Sequence, residues 1–315
     1  IDVLGEGNRC WWVAKQLDSA ARQCGKPWRL SELYGCTGWQ MDFRSHKAVG
    51  DWQALFGVNV RCPHLSWYTM EGEAKRDYPA SILHQSPWYA DYDLVESYFA
   101  RFGVLMSEGE PACDVLVLNP IESVWCQAYA GWANWIYSAD PAASALERQY
   151  AELFGQLAGR QIDFDYGEEE MLSRLAAVEQ TAGGRPVLRV GRAAYRVVVV
   201  SGMVTMRPST AALLSAFLEA GGTVIFAGDP PAYLNAEPSD VPSALAAHAG
   251  AVTVPAEAAA EAVQRATAYH TAVSTGQGTP DPQVFCRVRL CEAAGCRIAV
   301  VLNTDRERPR EQVPV

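Results

Sequence analysis

The chain has 315 residues, 49% hydrophobic and 20% charged, enough for about two domains with real cores. Its net charge of −10 and pI near 5.1 exclude nucleic acid and anionic membranes as partners, because phosphate needs a basic patch to neutralise it. No stretch approaches the ~18 consecutive apolar residues of a membrane span, and nothing near Ile1 has a secretory signal pattern.

In chain order, the spacing of Trp12, Ala14, Leu17, Ala20 and Ala21 predicts a helix over Asn8–Gly25, stopped by its glycine. Arg29–Tyr34, bounded by Pro27 and Gly35, reads as a short buried strand. A second helix and strand follow at His46–Phe56 and Val58–Cys62. An irregular, aromatic-rich stretch runs from His64 to Ala90, and Asp91–Glu108 is a strong helix. Buried strands alternating with helices imply a parallel sheet with covered faces. Two strands close no barrel, and a (β/α)8 barrel takes ~250 residues. Residues 1–110 are therefore expected to be the C-terminal part of such a barrel, with its earlier strands lying upstream.

From Pro111 the pattern becomes α/β and doubly wound. Strands are predicted at Asp114–Asn119, Gln161–Tyr166, Val187–Val190, Tyr195–Val200 and Thr223–Ala227. The helices are Pro141–Leu157, Glu168–Gln180, Ser209–Ala220 and the Ala-rich Ala256–Ala268. Residues 111–274 are expected to form a flavodoxin-like domain. Val284–Leu290 and Arg297–Leu302 read as an antiparallel hairpin, marginal by itself. Residues 275–315 are thus expected to be a linker and the first hairpin of a β-sandwich. Glu108–Ala112 and Thr275–Gln283 read as the linkers.

Functional side chains of a parallel α/β barrel sit at the C-terminal ends of its strands. Glu32 is the first such residue, followed by Tyr34 and Trp39. A carboxylate beside aromatics suits a sugar-cleaving site, with the acid for chemistry and flat apolar faces for pyranose rings. The bland alternative is a Glu that pairs with a nearby Arg. The loop after the second strand carries His64, Trp67, Tyr68, Glu71, Glu73 and Arg76, a density of aromatics and charges typical of binding surfaces, though also of a packing loop over a barrel rim. Asn59 anchors backbone or the site, and Glu71 and Glu73 are rival carboxylates unless simply solvated.

Residues 111–274 contain no Gly-x-Gly-x-x-Gly, no phosphate-binding P-loop and no Gly-x-Ser-x-Gly elbow. That domain is expected to be structural, with no cofactor and no metal. Nine cysteines without a Cys-x-x-Cys pair lack zinc spacing. They read as small buried apolar residues of a reducing compartment, which favours the cytoplasm. Cys291 and Cys296 flank a Glu-Ala-Ala-Gly turn and can face each other across the hairpin; thiols are favoured over a disulfide there too.

The run Leu30-Ser31-Glu32-Leu33-Tyr34-Gly35-Cys36-Thr37-Gly38-Trp39 resembles the segment around a catalytic-side Glu in large bacterial glycoside hydrolases of the α-L-rhamnosidase type, family 106. Asp51-Trp52-Gln53, Gly57-Val58-Asn59 and Pro63-His64 resemble the next strand unit of that barrel, and Tyr98-Phe99-Ala100-Arg101 with Ser107-Glu108-Gly109 its last helix. Asp163-Phe164-Asp165-Tyr166, Tyr195–Val200 and Gly221-Gly222-Thr223-Val224-Ile225 resemble their following α/β domain. That domain is similar to the trimerisation domain of family 42 β-galactosidases, itself related to glutamine amidotransferases. The resemblance implies that Glu32 is a catalytic carboxylate, that Trp39, Asn59, His64 and Tyr68 shape a sugar subsite, and that the α/β domain mediates a homo-oligomer.

The expected function is hydrolysis of O-glycosidic bonds in plant or microbial polysaccharide side chains by a carboxylate pair. With its acid partner upstream, the piece alone is expected to be inactive. Two alternatives stay open: a non-catalytic carbohydrate-binding or scaffold protein, and a flavodoxin-like small-molecule binder.

Overall fold

The computed structural model describes residues 2–3, 10–69, 71–72, 82–134, 137–274, 278 and 280–305. The chain opens with three parallel strands lying side by side: β1 (Asp2–Val3), β2 (Leu30–Leu33) and β3 (Val60–Pro63). Helices α1 (Trp11–Gln23) and α2 (Phe43–Leu55) make the crossovers. The sequence suggested two strands here; β1 is too short to show a period. Asp42 caps α2, its carboxylate accepting from Ser45 N at 2.8 Å. After a 3-10 turn at Tyr89–Asp91, α3 (Asp93–Ser107) packs on α2, with Phe99 lying over Gly50.

A short strand β4 (Glu110–Pro111) leads into β5 (Val115–Leu118), α4 (Ile121–Trp125), the small hairpin β6 (Ala133–Asn134) and β7 (Tyr137–Ser138), α5 (Pro141–Gly159), β8 (Asp165–Gly167) and α6 (Glu169–Leu175). Next come β9 (Ala176–Gln180), β10 (Pro186–Val190), β11 (Ala193–Tyr195), β12 (Val197–Ser201), β13 (Thr205–Met206), α7 (Pro208–Glu219) and β14 (Thr223–Ala227). The order closes with β15 (Tyr233–Leu234), β16 (Glu237–Pro238), α8 (Val241–Ala246), β17 (Ala251–Val254), α9 (Ala259–Ala266), β18 (Val284–Cys291) and β19 (Cys296–Asn303).

Five strands form an all-parallel sheet in the order β17-β14-β12-β5-β8. The four consecutive valines of β12 show why it is covered on both sides. Val197 and Val199 join one apolar cluster with Leu153, Phe154 and Leu157 of α5 and Val263 of α9. Val198 and Val200 join a second with Leu214 and Phe217 of α7 and Leu245 of α8. Alternate residues point to opposite faces, so a continuous β-branched run is stable only when both faces are buried.

Several expectations change. The predicted helix Glu168–Gln180 ends at Leu175; Ala176–Gln180 is strand β9, pairing antiparallel with β10. Helix-favouring Ala and Glu are overruled there by the ladder and by Val178 packing on the core. Val187–Val190 therefore belongs to a separate sheet β11-β10-β9. The Ala-rich segment splits into a 3-10 turn, Ala256–Ala258, and α9. Glu108–Ala112 is no free linker, since β4 pairs with β18 to make the sheet β19-β18-β4. Cysteines are not generally buried: Cys24, Cys36, Cys62, Cys126 and Cys296 are exposed.

The first and second segments share a core. Ala14 of α1 is fully buried in the cluster formed by α5 and the five-stranded sheet, with Trp11 and Trp12 packed against it. Beneath them lies a buried ionic network. Lys15 sits 2.8 Å from Asp163, 3.3 Å from Asp165 and 3.5 Å from Asp18. Arg287 of β18 pairs with Asp18 at 2.5 Å and with Asp163 at 3.0 Å. Arg22 pairs with Asp165, and Arg29 with Asp18 at 2.7 Å. Burial alone would raise the carboxyls of Asp18 and Asp163, but Arg287 and Lys15 hold both below the usual range. The network ties α1, the strand β8 region and the C-terminal hairpin into one buried unit.

Candidate functional site

Strand β2 alternates: Ser31 and Leu33 are fully buried, Leu30 is 48% exposed and the Glu32 side chain 39% exposed. The parallel register sets Leu30 beside Val60 and Glu32 beside Cys62, and Cys62 is exposed. One face of this small sheet is thus held by helices and the other is open. Glu32 lies on the open face near the C-terminal end of its strand. On its other side the backbone of Asp2 is its ladder partner.

The chain turns sharply after β2. Tyr34 and Cys36 have φ of +73° and +56°, and Gly38 has +76°. Two side-chain-bearing residues in the left-handed region are unusual, and such backbone persists only where the surroundings enforce it. The enforcement comes from Tyr34. Its ring is fully buried 4.7 Å from that of His46, and its hydroxyl accepts from Arg61 Nη1 at 3.2 Å. Burial pushes the phenol up to about 12, against the lowering pull of Arg61. Thr37 adds a hydroxyl bond to Tyr34 O at 2.7 Å.

This turn delivers Trp39 to Trp67 on the loop after β3. Their rings meet edge to face at 5.6 Å, a preferred aromatic geometry. Trp39 is 43% exposed and Tyr68 97% exposed. His64 continues the ladder through its N–H to Leu33 O at 2.8 Å. Its Nε2 lies 3.8 Å from Glu32 Oε1, too long for a direct hydrogen bond, but a ligand atom can bridge such a gap. The strand ends thus bring together a carboxylate and an imidazole, and the loops that follow them carry an aromatic pair.

Not every predicted residue joins them. Tyr34 is enclosed and acts by shaping the turn. Asn59 precedes β3 rather than lying within it, at the opposite end from Glu32. It accepts from Arg29 N and donates to Pro27 O, both at 2.8 Å, so its amide is committed to backbone. Glu71 is exposed, and its N–H bonds Thr69 Oγ1 at 3.2 Å. Arg76, with Glu73, lies outside the described residues. Among those described, no group of three or more His, Cys, Asp or Glu is arranged to hold a metal ion, and no helix is long and apolar enough to cross a membrane.

Two features escaped the sequence reading. A cavity of about 360 Å³ opens beyond the C-terminal end of β5, lined by Asn119, Val124, Trp125, Trp132, Glu147 and Tyr150 among others. Nearby, Glu122 and Glu169 flank Arg207, which donates from Nε to Glu122 at 2.5 Å and from its backbone N to Glu169 at 2.8 Å. Burial pushes the Glu169 carboxyl up to about 7, and the charge of Glu122 adds to that, against the bond from Arg207 N. These groups come from segments far apart in sequence and carry no local signature.

No family profile and no curated protein matches the chain. Solved structures do. A rhamnosidase from Novosphingobium sp. PP1Y superposes with a TM-score of 0.63 at 16% identity, over 96% of this chain and 29% of that one. An exo-carrageenase of glycoside hydrolase family 42 from Bacteroides ovatus gives 0.54 at 10% identity, over 90% of this chain and 38% of that one. The chain therefore spans well under half the length of either. At these identities the likeness is one of fold: the chain is built like a part of the large glycoside hydrolases of the rhamnosidase and family 42 type.

Proposed function

We propose that the chain is part of a glycoside hydrolase that cleaves O-glycosidic bonds in plant or microbial polysaccharide side chains. The observation that carries this is Glu32, half exposed on the open face at a parallel strand end, with His64 3.8 Å away and the Trp39–Trp67 pair on the adjoining loops. In a parallel barrel that end of the strands is where catalysis takes place. Glu32 acts as general base or nucleophile, a second carboxylate protonates the leaving oxygen, and the aromatic rim holds the sugar ring. Residues 1–110 are the barrel part. Residues 111–274, with a strand order equivalent to 2-1-3-4-5, are a flavodoxin-like domain of the trimerisation and amidotransferase-like kind. Residues 275–315 begin a further β domain.

The test is Glu32→Gln in the longest form of the protein that turns over aryl glycosides. A loss of several orders of magnitude in kcat, with KM little changed, is expected. Undiminished turnover rejects the assignment. A second reading, a small-molecule binder, draws on the cavity beyond β5, beside the point where the strand order reverses and open α/β sheets bind ligands. Among the described residues its lining is mostly apolar and aromatic, with Glu147 as the charged group. A flavin or nucleotide retained by purified protein would favour this reading.

A further inference from the structure

We propose that Cys291 and Cys296 form a reversible disulfide that clasps the tip of the β18–β19 hairpin. The two are direct ladder partners, the last pair of a continuous register from Val284↔Asn303 to Cys291↔Cys296. Directly opposed residues of an antiparallel pair have Cα atoms about 4.5 or 5.5 Å apart, and both values lie within the span a disulfide accepts. The closing turn is fixed: Glu292–Ala294 is a 3-10 turn, and Gly295, at φ +60°, donates its N–H to Glu292 O at 3.1 Å. Burial raises the Cys291 thiol, and the charge of the adjoining Cys296 adds to that. Among the described residues no other cysteine has a cysteine as ladder partner: Cys62 faces Glu32, and Cys286 faces Val301.

The pair is also divided in the way a two-step exchange needs. Cys296 is exposed, whereas Cys291 is buried, with its sulfur against Gly109. The Cys296 thiolate attacks the sulfur of a low-molecular-weight disulfide such as oxidised glutathione, forming a mixed disulfide and expelling one glutathione thiolate. The Cys291 thiolate then attacks Cys296 Sγ, forming the internal S–S bond and releasing the second glutathione. Both thiol protons end on the two glutathione molecules, so the exchange balances. Because the ring closed is small and at an exposed tip, excess reduced glutathione reopens it; exposed disulfides are the labile, regulatory ones. Through the β18–β4 pairing and Arg287, the clasp stiffens the hairpin that holds the buried ionic network.

The test uses the whole chain, reduced, then exposed to oxidised glutathione, alkylated and digested with trypsin. Both cysteines fall in one tryptic peptide, Leu290–Arg297. The expected product is that peptide short of two hydrogens and protected from alkylation, restored by excess reduced glutathione. Closure is expected at least about tenfold faster in native protein than in urea-unfolded protein, because the fold preorganises the pair. In Cys291→Ser, Cys296 should retain one glutathione, which traps the first intermediate. A native peptide that is alkylated or glutathionylated at both cysteines overturns the proposal. So does closure that is no faster in the folded protein.

Discussion

Asp163→Asn removes one charge from the buried network at almost no change in shape. The carboxylate receives Lys15 Nζ at 2.8 Å and Arg287 Nε at 3.0 Å, with its side chain 8% exposed. At an effective dielectric of about 20 the two attractions come to roughly 6 and 5.5 kcal/mol. Several kcal/mol of carboxylate desolvation offsets much of that. The substitution, however, leaves two cations buried with one fewer counter-charge, and the new amide N–H groups face Arg287 Nε, donor against donor. A net loss of about 3–5 kcal/mol is expected. Urea titration at pH 7 reads it, with Glu170→Gln as control, since the Glu170–Arg174 pair lies on the surface of α6 and should show no measurable loss. Adding Lys15→Met to Asp163→Asn restores the balance of charge and should recover more than about 1 kcal/mol relative to additivity. The Asp163 carboxyl is depressed in the folded state. Its contribution is therefore present above the unfolded value near 3.9 and lost as pH falls through the folded one, so the variant should show a shallower acid limb than the parent. A loss under about 1 kcal/mol at pH 7, or full additivity, would refute the reasoning.

The Glu169 carboxyl, raised to about 7 from an unfolded value near 4.5, works in the opposite sense. Its stabilisation is complete below the unfolded value and lost as pH climbs through 7, by at most about 3 kcal/mol. Glu169→Gln should therefore flatten stability between pH 5 and 8, and an unchanged slope in urea titrations would count against the buried pair. Gly50→Ala should gain about 1 kcal/mol of helix propensity, but the new Cβ would lie 2.1 Å from Phe99 Cζ, and overpacking at about 1–3 kcal/mol outweighs it. A net fall in the urea midpoint is expected, relieved by Phe99→Leu; a stabilised Gly50→Ala would show that α3 can shift. Trp67→Ala, which removes half of the aromatic pair, should weaken sugar binding about 2- to 10-fold with little change in the urea midpoint. Unaltered KM would remove the pair from the subsite.

What could be read from the sequence was what local chemistry dictates. The valine run at 197–200, the glycine stops after helices and the carboxylate at the end of Leu30–Leu33 each carry their signal within a few residues. The order of the strands in the five-stranded sheet, and the exposure of the face that carries Glu32, came from the fold. Other features needed it too. Ala176–Gln180 has helix-favouring residues and became a strand only because a partner strand and a core face were available. Asn59 and Tyr34 looked like site residues by proximity in sequence, but the tertiary structure spends one on the backbone of Pro27 and Arg29 and buries the other against His46. Lys15, Asp18, Asp163, Asp165 and Arg287 span most of the chain. A charge is buried only when distant segments bring its counter-charges, and no window of sequence contains that information.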